Sequence, residues 1–114
     1  MGYMRHHAII VTSWSDNHIQ KARRKALDLH MLITPNIESN INGYQSFFIP
    51  PDGSKEGWEE SDGGDKKRDQ FVEWLNTQRT EDGGTYLKWA EVQYGDEEDN
   101  NLICRHSGEG EKHA

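Results

Sequence analysis

Apolar residues recur along this chain with two different periods, and the change of period divides the chain into strands and helices. The β-branched run at residues 9–12 is continuous and predicts an inner strand over residues 6–13. The polar residues 15–17 can then cap a helix. The apolar positions that follow at helical spacing are Ile19, Ala22, Ala26 and Leu29. We expect this helix to end near Leu32, because Pro35 cannot continue it.

The middle of the chain predicts a β-hairpin over residues 36–50. Apolar and polar residues alternate over residues 37–41, and a second strand-forming run follows over residues 44–49. Between them stands Asn42-Gly43, and both of these residues tolerate the positive φ angles of a tight hairpin turn. Two prolines end the second strand, so we expect the chain to enter a loop there.

A second helix is predicted after that loop. Residues 52–65 are rich in glycine and acidic side chains, which is typical of a connecting loop. Asp65 can cap a helix over residues 66–78, and its apolar face is formed by Phe71, Trp74 and Leu75.

Two further strands are predicted, an alternating one over residues 87–94 and a last one over residues 102–106. One face of the first of them carries Leu87, Trp89, Glu91 and Gln93. The order is β-α-β-β-α-β plus a C-terminal strand, the ferredoxin-like, split βαβ pattern of an α+β fold. In that pattern both helices lie on one face of an antiparallel sheet, and the other face is open to a partner, a ligand or a second copy.

The size and composition predict one domain with a thin core. The 114 residues suit a single domain, with an ordered part over about residues 4–107 and a polar C-terminal tail. Only 32% of the residues are hydrophobic, yet four Trp, four Tyr and three Phe are among them, which a disordered chain would lack. We expect self-association to complete the core, with a dimer or a higher homo-oligomer as the result.

The charge balance narrows the class of partner. The chain has 13 basic and 20 acidic residues and a net charge of −7, which argues against binding to a nucleic acid polymer. A small anion is still compatible, because local donors can outweigh the net charge. Cys104 is the single cysteine, so an intrachain disulfide is excluded and a cytoplasmic location is expected. No apolar run approaches the length of a membrane span.

The loop after the second proline offers the most specific candidate site. It presents a hydroxyl, a cation, a carboxylate and an indole beside glycines, from Ser54, Lys55, Glu56 and Trp58. Hydroxyl, ammonium and exposed backbone N–H groups can hold a phosphate, and an indole can stack on a base. An ordinary surface turn is the alternative, since Pro-Asp-Gly is usual turn chemistry.

Two residues outside the loop are added to this predicted ligand site. Trp14 follows the first strand and can stack on a base, or it can cover the thin core instead. Arg68 lies at the start of the predicted second helix, where a helix N-terminus favours an anion. The alternative for Arg68 is a solvated helix face.

Neither a metal site nor a cofactor site is predicted. His6 and His7 are adjacent on a strand, so their side chains point to opposite faces, and no Cys-x-x-Cys or His-x-x-x-His spacing occurs. An enzymatic alternative has His7 or His106 as general acid or base, assisted by Glu56.

Four segments, HHAIIVTSW, NGYQSFFIPPDGSKEGW, GDKKRDQFVEWL and WAEVQYGD, carry a resemblance over residues 4–107. They resemble small proteins encoded by tailed bacteriophages and some actinobacteria, a group that supplies no catalytic residues to assign here. Short phage proteins often counter host defence in the cytoplasm of the infected bacterium. The resemblance therefore implies a sponge, an oligomeric protein that sequesters a nucleotide immune signal such as a cyclic nucleotide or an ADP-ribose derivative.

The leading hypothesis is thus a non-enzymatic binding protein for a small nucleotide. An enzyme that hydrolyses such a nucleotide and a protein-binding inhibitor module are the alternatives. The identity of the ligand, the number of subunits and whether the ligand is cleaved are left open by the sequence.

Overall fold

The computed structural model of the protein describes residues 5–51, 59–79, 84–95 and 101–110. The elements in chain order are β1 (Arg5–Ser13), α1 (Asp16–Asp28), β2 (Ile37–Glu38), β3 (Gln45–Ile49), α2 (Glu59–Asn76), β4 (Lys88–Gly95) and β5 (Leu102–His106). A 3₁₀ helix, Ser107–Gly110, follows β5.

The five strands within the described residues form one sheet with the order β2-β3-β1-β4-β5. Every neighbouring pair of strands is antiparallel. In the long central strand β1, Ile9 pairs with Ile49 of β3 on one side and with Glu91 of β4 on the other. The first four strands and the two helices follow the split βαβ order, and β5 extends the sheet at the β4 edge. The predicted α+β fold with an antiparallel sheet is confirmed.

Strand alternation separates a covered face of the sheet from an open one. Odd-numbered residues of β1 and β3 face the helices, and they join apolar residues of α1, α2 and β4 in one core. The strand residues of this core are Ile9, Val11, Phe47, Ile49 and Trp89, and the helix residues are Ile19, Ala22, Ala26, Phe71, Val72 and Leu75. Both described helices therefore cover the same face.

The opposite face of the sheet is mostly apolar as well. Its centre consists of Ala8, Ile10, Phe48, Val92, Tyr94 and Ile103, which we call the open-face patch. Ile10, Tyr94 and Ile103 are 46%, 40% and 61% exposed. Contacts between neighbouring strands confirm the alternation: Thr12 and Ser46 share a 2.8 Å hydrogen bond, and the rings of His6 and Tyr94 lie 5.2 Å apart.

Helix α1 begins where the sequence predicts and ends earlier. Ser15 is its N-cap, and its hydroxyl accepts a hydrogen bond from the His18 backbone N–H. The helix ends at Asp28 instead of Leu32, because His30 adopts a left-handed φ of 61° and the Met31 N–H bonds back to the Ala26 carbonyl. Pro35 therefore plays no part in ending this helix.

Helix α2 is longer than the sequence predicts. It spans Glu59–Asn76, so residues 59–65, predicted as loop, are helical and Asp65 is not the cap. Gly63 and Gly64 suggested a loop because glycine is a weak helix former, yet the packing of a downstream apolar face can outweigh that preference. Arg68 consequently lies within the helix and not at its N-terminus.

The hairpin is confirmed, but its turn differs from the prediction. Strand β2 comprises only Ile37–Glu38, and residues 40–43 form a four-residue loop closed by a 2.7 Å hydrogen bond from Ser39 to Tyr44. Among the described residues outside glycine only His30 has a positive φ, so Asn42 does not adopt the angles of a tight two-residue turn. Gly43 does have a positive φ, of 74°.

Ser107, which directly follows β5, contributes to the fold. Ser107 is buried, and its hydroxyl accepts a 3.1 Å hydrogen bond from the Trp89 backbone N–H. Among the described helices, none is both long enough and apolar enough to cross a membrane.

Candidate functional site

The predicted loop site falls largely outside the described residues. Ser54, Lys55, Glu56 and Trp58 belong to residues 52–58, which the structure does not describe. Their role in ligand binding stays a prediction.

The two other predicted ligand residues, Trp14 and Arg68, lie at different places in the fold. Trp14 directly follows β1. Arg68 contacts Glu91, and Glu91 pairs with Ile9 in the middle of β1. Trp14 lies five residues along the strand from Ile9, which corresponds to on the order of 15 Å. A ligand that touches both would have to bridge this distance.

Trp14 belongs to an aromatic cluster at the end of β1. Its side chain is 60% exposed, and its ring lies 6.3 Å from that of Tyr86, on which His18 stacks at 4.1 Å. Burial and the nearby Lys21 lower the pKa of His18, so its ring is neutral around pH 7. The indole is therefore supported on one side and open to solvent on the other.

A charged cavity of about 390 Å³ lies on the helix-covered side of the sheet. It is lined by His7, Arg68, Asp69, Glu91, Cys104 and Arg105, and we call it the charged cavity. Local structure explains why these side chains converge. Glu91 alternates inward beside Trp89, Arg105 pairs with Glu91 across β4 and β5, and Arg68 lies on the buried stripe of α2 with Phe71 and Val72.

Glu91 organises the charges of this cavity. It is only 2% exposed, and its Oε1 accepts a 2.6 Å hydrogen bond from the Nε of Arg105. Its Oε2 lies 3.8 Å from the Nε of Arg68 and 3.6 Å from the Nδ1 of His7. The latter distance is too long for a hydrogen bond, and the buried Nδ1 has no hydrogen-bond partner.

Asp69 forms the outer end of the same network. Its Oδ1 lies 3.0 Å from Nη1 of Arg105, and its side chain is 65% exposed. Arg105 thus joins a buried carboxylate to one that is largely in solvent. Because exposed ion pairs contribute only about 0–1 kcal/mol, the outer contact is easily exchanged.

The electrostatics favour fixed charges over proton transfer. Burial alone would raise the pKa of Glu91, but contacts with His7 and Arg105 outweigh it and lower that pKa to about 2. The hydrogen bond to Glu91 raises the pKa of Arg105. Burial and the Glu91 carboxylate raise the pKa of the Cys104 thiol. At neutral pH the Glu91 carboxylate is therefore ionised, the Arg105 guanidinium is charged and the Cys104 thiol is protonated.

This arrangement suits binding better than catalysis. An ionised Glu91 with a pKa near 2 is a poor general acid or base at neutral pH, and a protonated thiol is a poor nucleophile. The histidines of the enzymatic alternative do not meet: His7 faces the charged cavity, and His106 lies on the open face opposite Ala90. Within the described residues, no group of three or more His, Cys, Asp or Glu side chains could hold a metal ion.

Two of the residues that line the charged cavity, Arg68 and His7, were predicted as site residues from the sequence, whereas Glu91 and Arg105 were not, although one signal for Glu91 was present. Glu91 shares a strand face with Leu87 and Trp89, and a carboxylate at an inward position needs a partner. Nothing in the sequence alone indicates that Arg68 and Arg105 supply it, because they come from α2 and β5.

No family model matches the chain, and no similar curated protein or solved structure was found. The resemblance to phage proteins therefore stays a prediction.

Proposed function

We propose that this protein is a non-catalytic binding protein for a small phosphate-bearing ligand, which it holds at the charged cavity. The observation that supports this most is the set of two guanidinium groups that Glu91 positions beside a cavity open to solvent. A nucleotide signal is the ligand class that the resemblance to phage proteins suggests.

Guanidinium groups match phosphate in geometry and keep their charge at any physiological pH. The cavity fixes Arg105 through the Nε hydrogen bond to Glu91, so less side-chain freedom is lost when an anion binds. A cavity of about 390 Å³ is large enough for a phosphate with part of an attached group.

Binding would proceed by exchange at Arg105. An incoming phosphate oxygen takes the place of the exposed Asp69 carboxylate at Nη1, and Glu91 continues to hold the Nε edge. Asp69 is then a competitor for the ligand, since it occupies the same donor and repels an anion. Removal of the Asp69 carboxylate should therefore strengthen the binding of the ligand.

Calorimetric titration with inorganic phosphate and with a panel of nucleotides tests this exchange. Asp69→Asn should tighten binding about 3- to 10-fold, because the competing charge is removed. Arg105→Gln should weaken it at least about 10-fold. The matched control is Glu38→Gln, which removes an exposed carboxylate from β2 at the far edge of the sheet and should change affinity less than about twofold.

Two results would overturn the proposal. One is an absence of binding by every probe to the wild type and to Asp69→Asn. The other is an equal gain in affinity from Asp69→Asn and Glu38→Gln, which would indicate only the effect of the net charge.

Heating the complex and analysing the supernatant separates sequestration from hydrolysis, since an intact nucleotide indicates sequestration and an altered one indicates an enzyme. In the same assay, Lys55→Ala and Trp58→Ala test the predicted loop residues.

A further inference from the structure

Strand β1 has an apolar pattern that helices α1 and α2 cover on one side only. Residues 8–11 are continuously apolar, which is typical of a strand buried on both faces. Ile9 and Val11 are fully buried under the helices, but Ile10 between them is 46% exposed. The neighbouring strands also present apolar residues on the open face, because Phe48 of β3 and Ala90 of β4 pair with Ile10. The sheet thus has a second apolar face without a covering layer among the described elements.

We propose that the open-face patch packs against the same patch of a second copy, so that two sheets form a twofold-symmetric homodimer. Two sheets that pack face to face form a layer about 10 Å thick in which side chains interdigitate. The patch is centred on β1, the middle strand of the sheet, so a twofold axis near Ile10 brings apolar side chains of one copy onto those of the other.

The size of the face sets the strength of such a dimer. The five described strands together comprise about 30 residues. Each strand residue covers about 3.3 Å by 4.8 Å, so the flat area is roughly 470 Å² per copy, before the relief of the side chains is added. Two copies together give roughly 900 Å², which lies in the range of weak interfaces, below about 1,200 Å² in total.

The charge distribution favours a second copy over a basic partner. The chain has a net charge of −7, yet the described strand residues that alternate onto the open face include no carboxylate. The ionisable residues there are His6, Lys88, Tyr94 and His106. Two copies can join at this face without bringing acidic side chains together, whereas a basic partner would find no counter-charge on it.

This inference goes beyond the proposed ligand site, because the charged cavity lies on the other face of the sheet. The dimer buries the open-face patch and leaves both cavities accessible from the helix side. The two proposals can therefore fail separately.

Sedimentation analysis of the full chain over a range of concentrations tests the dimer. The wild type should have twice the 13.2 kDa mass of one chain, and Ile10→Lys should have the mass of one chain. Lys is tolerated on the exposed face of a monomer but is costly inside an apolar interface. Ile103→Lys, at a position 61% exposed on the edge strand, is the second variant in case Ile10→Lys fails to fold. Circular dichroism checks the folding of each.

Leu27→Lys is the matched control, since Leu27 is 56% exposed on the outer side of α1 and lies outside the patch. It should stay dimeric. A monomeric wild type at about 100 μM would overturn the proposal. Dissociation by Leu27→Lys, or a dimer that survives both patch variants, would also overturn it by placing the interface elsewhere. If a different protein is found bound to the open-face patch after purification, and the chain freed from that protein is monomeric, the proposal is also overturned.

Discussion

At the scale of single residues, Glu91 is the common contact of His7, Arg68 and Arg105 in the charged cavity. It is a buried carboxylate on a strand, and its contacts with His7 and Arg105 favour the charged form. Removal of one member of such a set leaves the others buried and uncompensated. The same set fixes a guanidinium beside the charged cavity, so one residue links the stability of the sheet to the proposed ligand site.

The lowered pKa of Glu91 predicts a specific pH dependence of stability. A carboxyl group whose pKa is lower in the folded state stabilises the protein above its unfolded-state pKa, and this contribution is lost as the pH falls. With a folded-state pKa of about 2 and an ordinary value of 4.5, the loss occurs between these two values. The stability difference between wild type and Glu91→Gln should therefore shrink by roughly 2 kcal/mol from about pH 6 to about pH 3.

Urea denaturation at several pH values measures this difference. Glu73→Gln is the control, because Glu73 is an exposed carboxylate on α2 that lies outside the charged cavity. Its difference from wild type should stay nearly flat. An equally flat curve for Glu91→Gln would contradict the assignment of an ionised, buried carboxylate.

At the scale of elements, the helices show where local sequence signals are incomplete. The end of α1 uses His30 in a left-handed conformation, where glycine is the usual signal, so the sequence pointed to Pro35 instead. The start of α2 lies before two glycines that ordinarily indicate a loop. Apart from β2, which is shorter than predicted, the strands lie close to their predicted bounds, because the burial of their side chains sets the pattern of apolar residues.

Substitution of two glycines by alanine tests the helix and the hairpin with opposite expected signs. Gly63 lies inside α2, so Gly63→Ala should raise the free energy of unfolding by about 1 kcal/mol. Gly43 has a φ of 74°, and a Cβ there would meet Glu38 at an ordinary 3.9 Å. Backbone strain alone should then make Gly43→Ala destabilising by about 1 kcal/mol.

Chemical denaturation of both variants provides the measurement. Each serves as the control of the other, since the change in side chain is the same. A loss of stability in Gly63→Ala would mean that residue 63 is not helical, and no loss in Gly43→Ala would mean that the hairpin tolerates another turn.

At the scale of the whole molecule, the two faces of the sheet differ in what they carry. The helix side buries the core and holds the charged cavity at the β4 and β5 edge, and the other side presents the open-face patch. In a chain with few hydrophobic residues, a dimer through that patch adds apolar burial that the monomer cannot supply.

A dimer makes the melting temperature depend on protein concentration. Because the unfolded chains separate, a 40-fold increase in concentration, from about 5 μM to about 200 μM, should raise the melting temperature of the wild type by roughly 4 °C. Ile10→Lys should melt at one temperature throughout this range. Calorimetry or circular dichroism melts provide the measurement, and a wild type that lacks the concentration dependence would speak against the dimer.

The sequence by itself determined the α+β class, the order of the strands and helices, and the inward face of β4, since each follows from a local period of apolar residues. The positions of Arg68, Glu91 and Arg105 beside one another were decided only by the tertiary structure. Their chain positions are far apart, and the pairing of β4 with β5 and the packing of α2 bring them together. The ends of the helices were also decided by the tertiary structure, because a left-handed His30 and a helix through Gly63 are stabilised by contacts that no short segment contains.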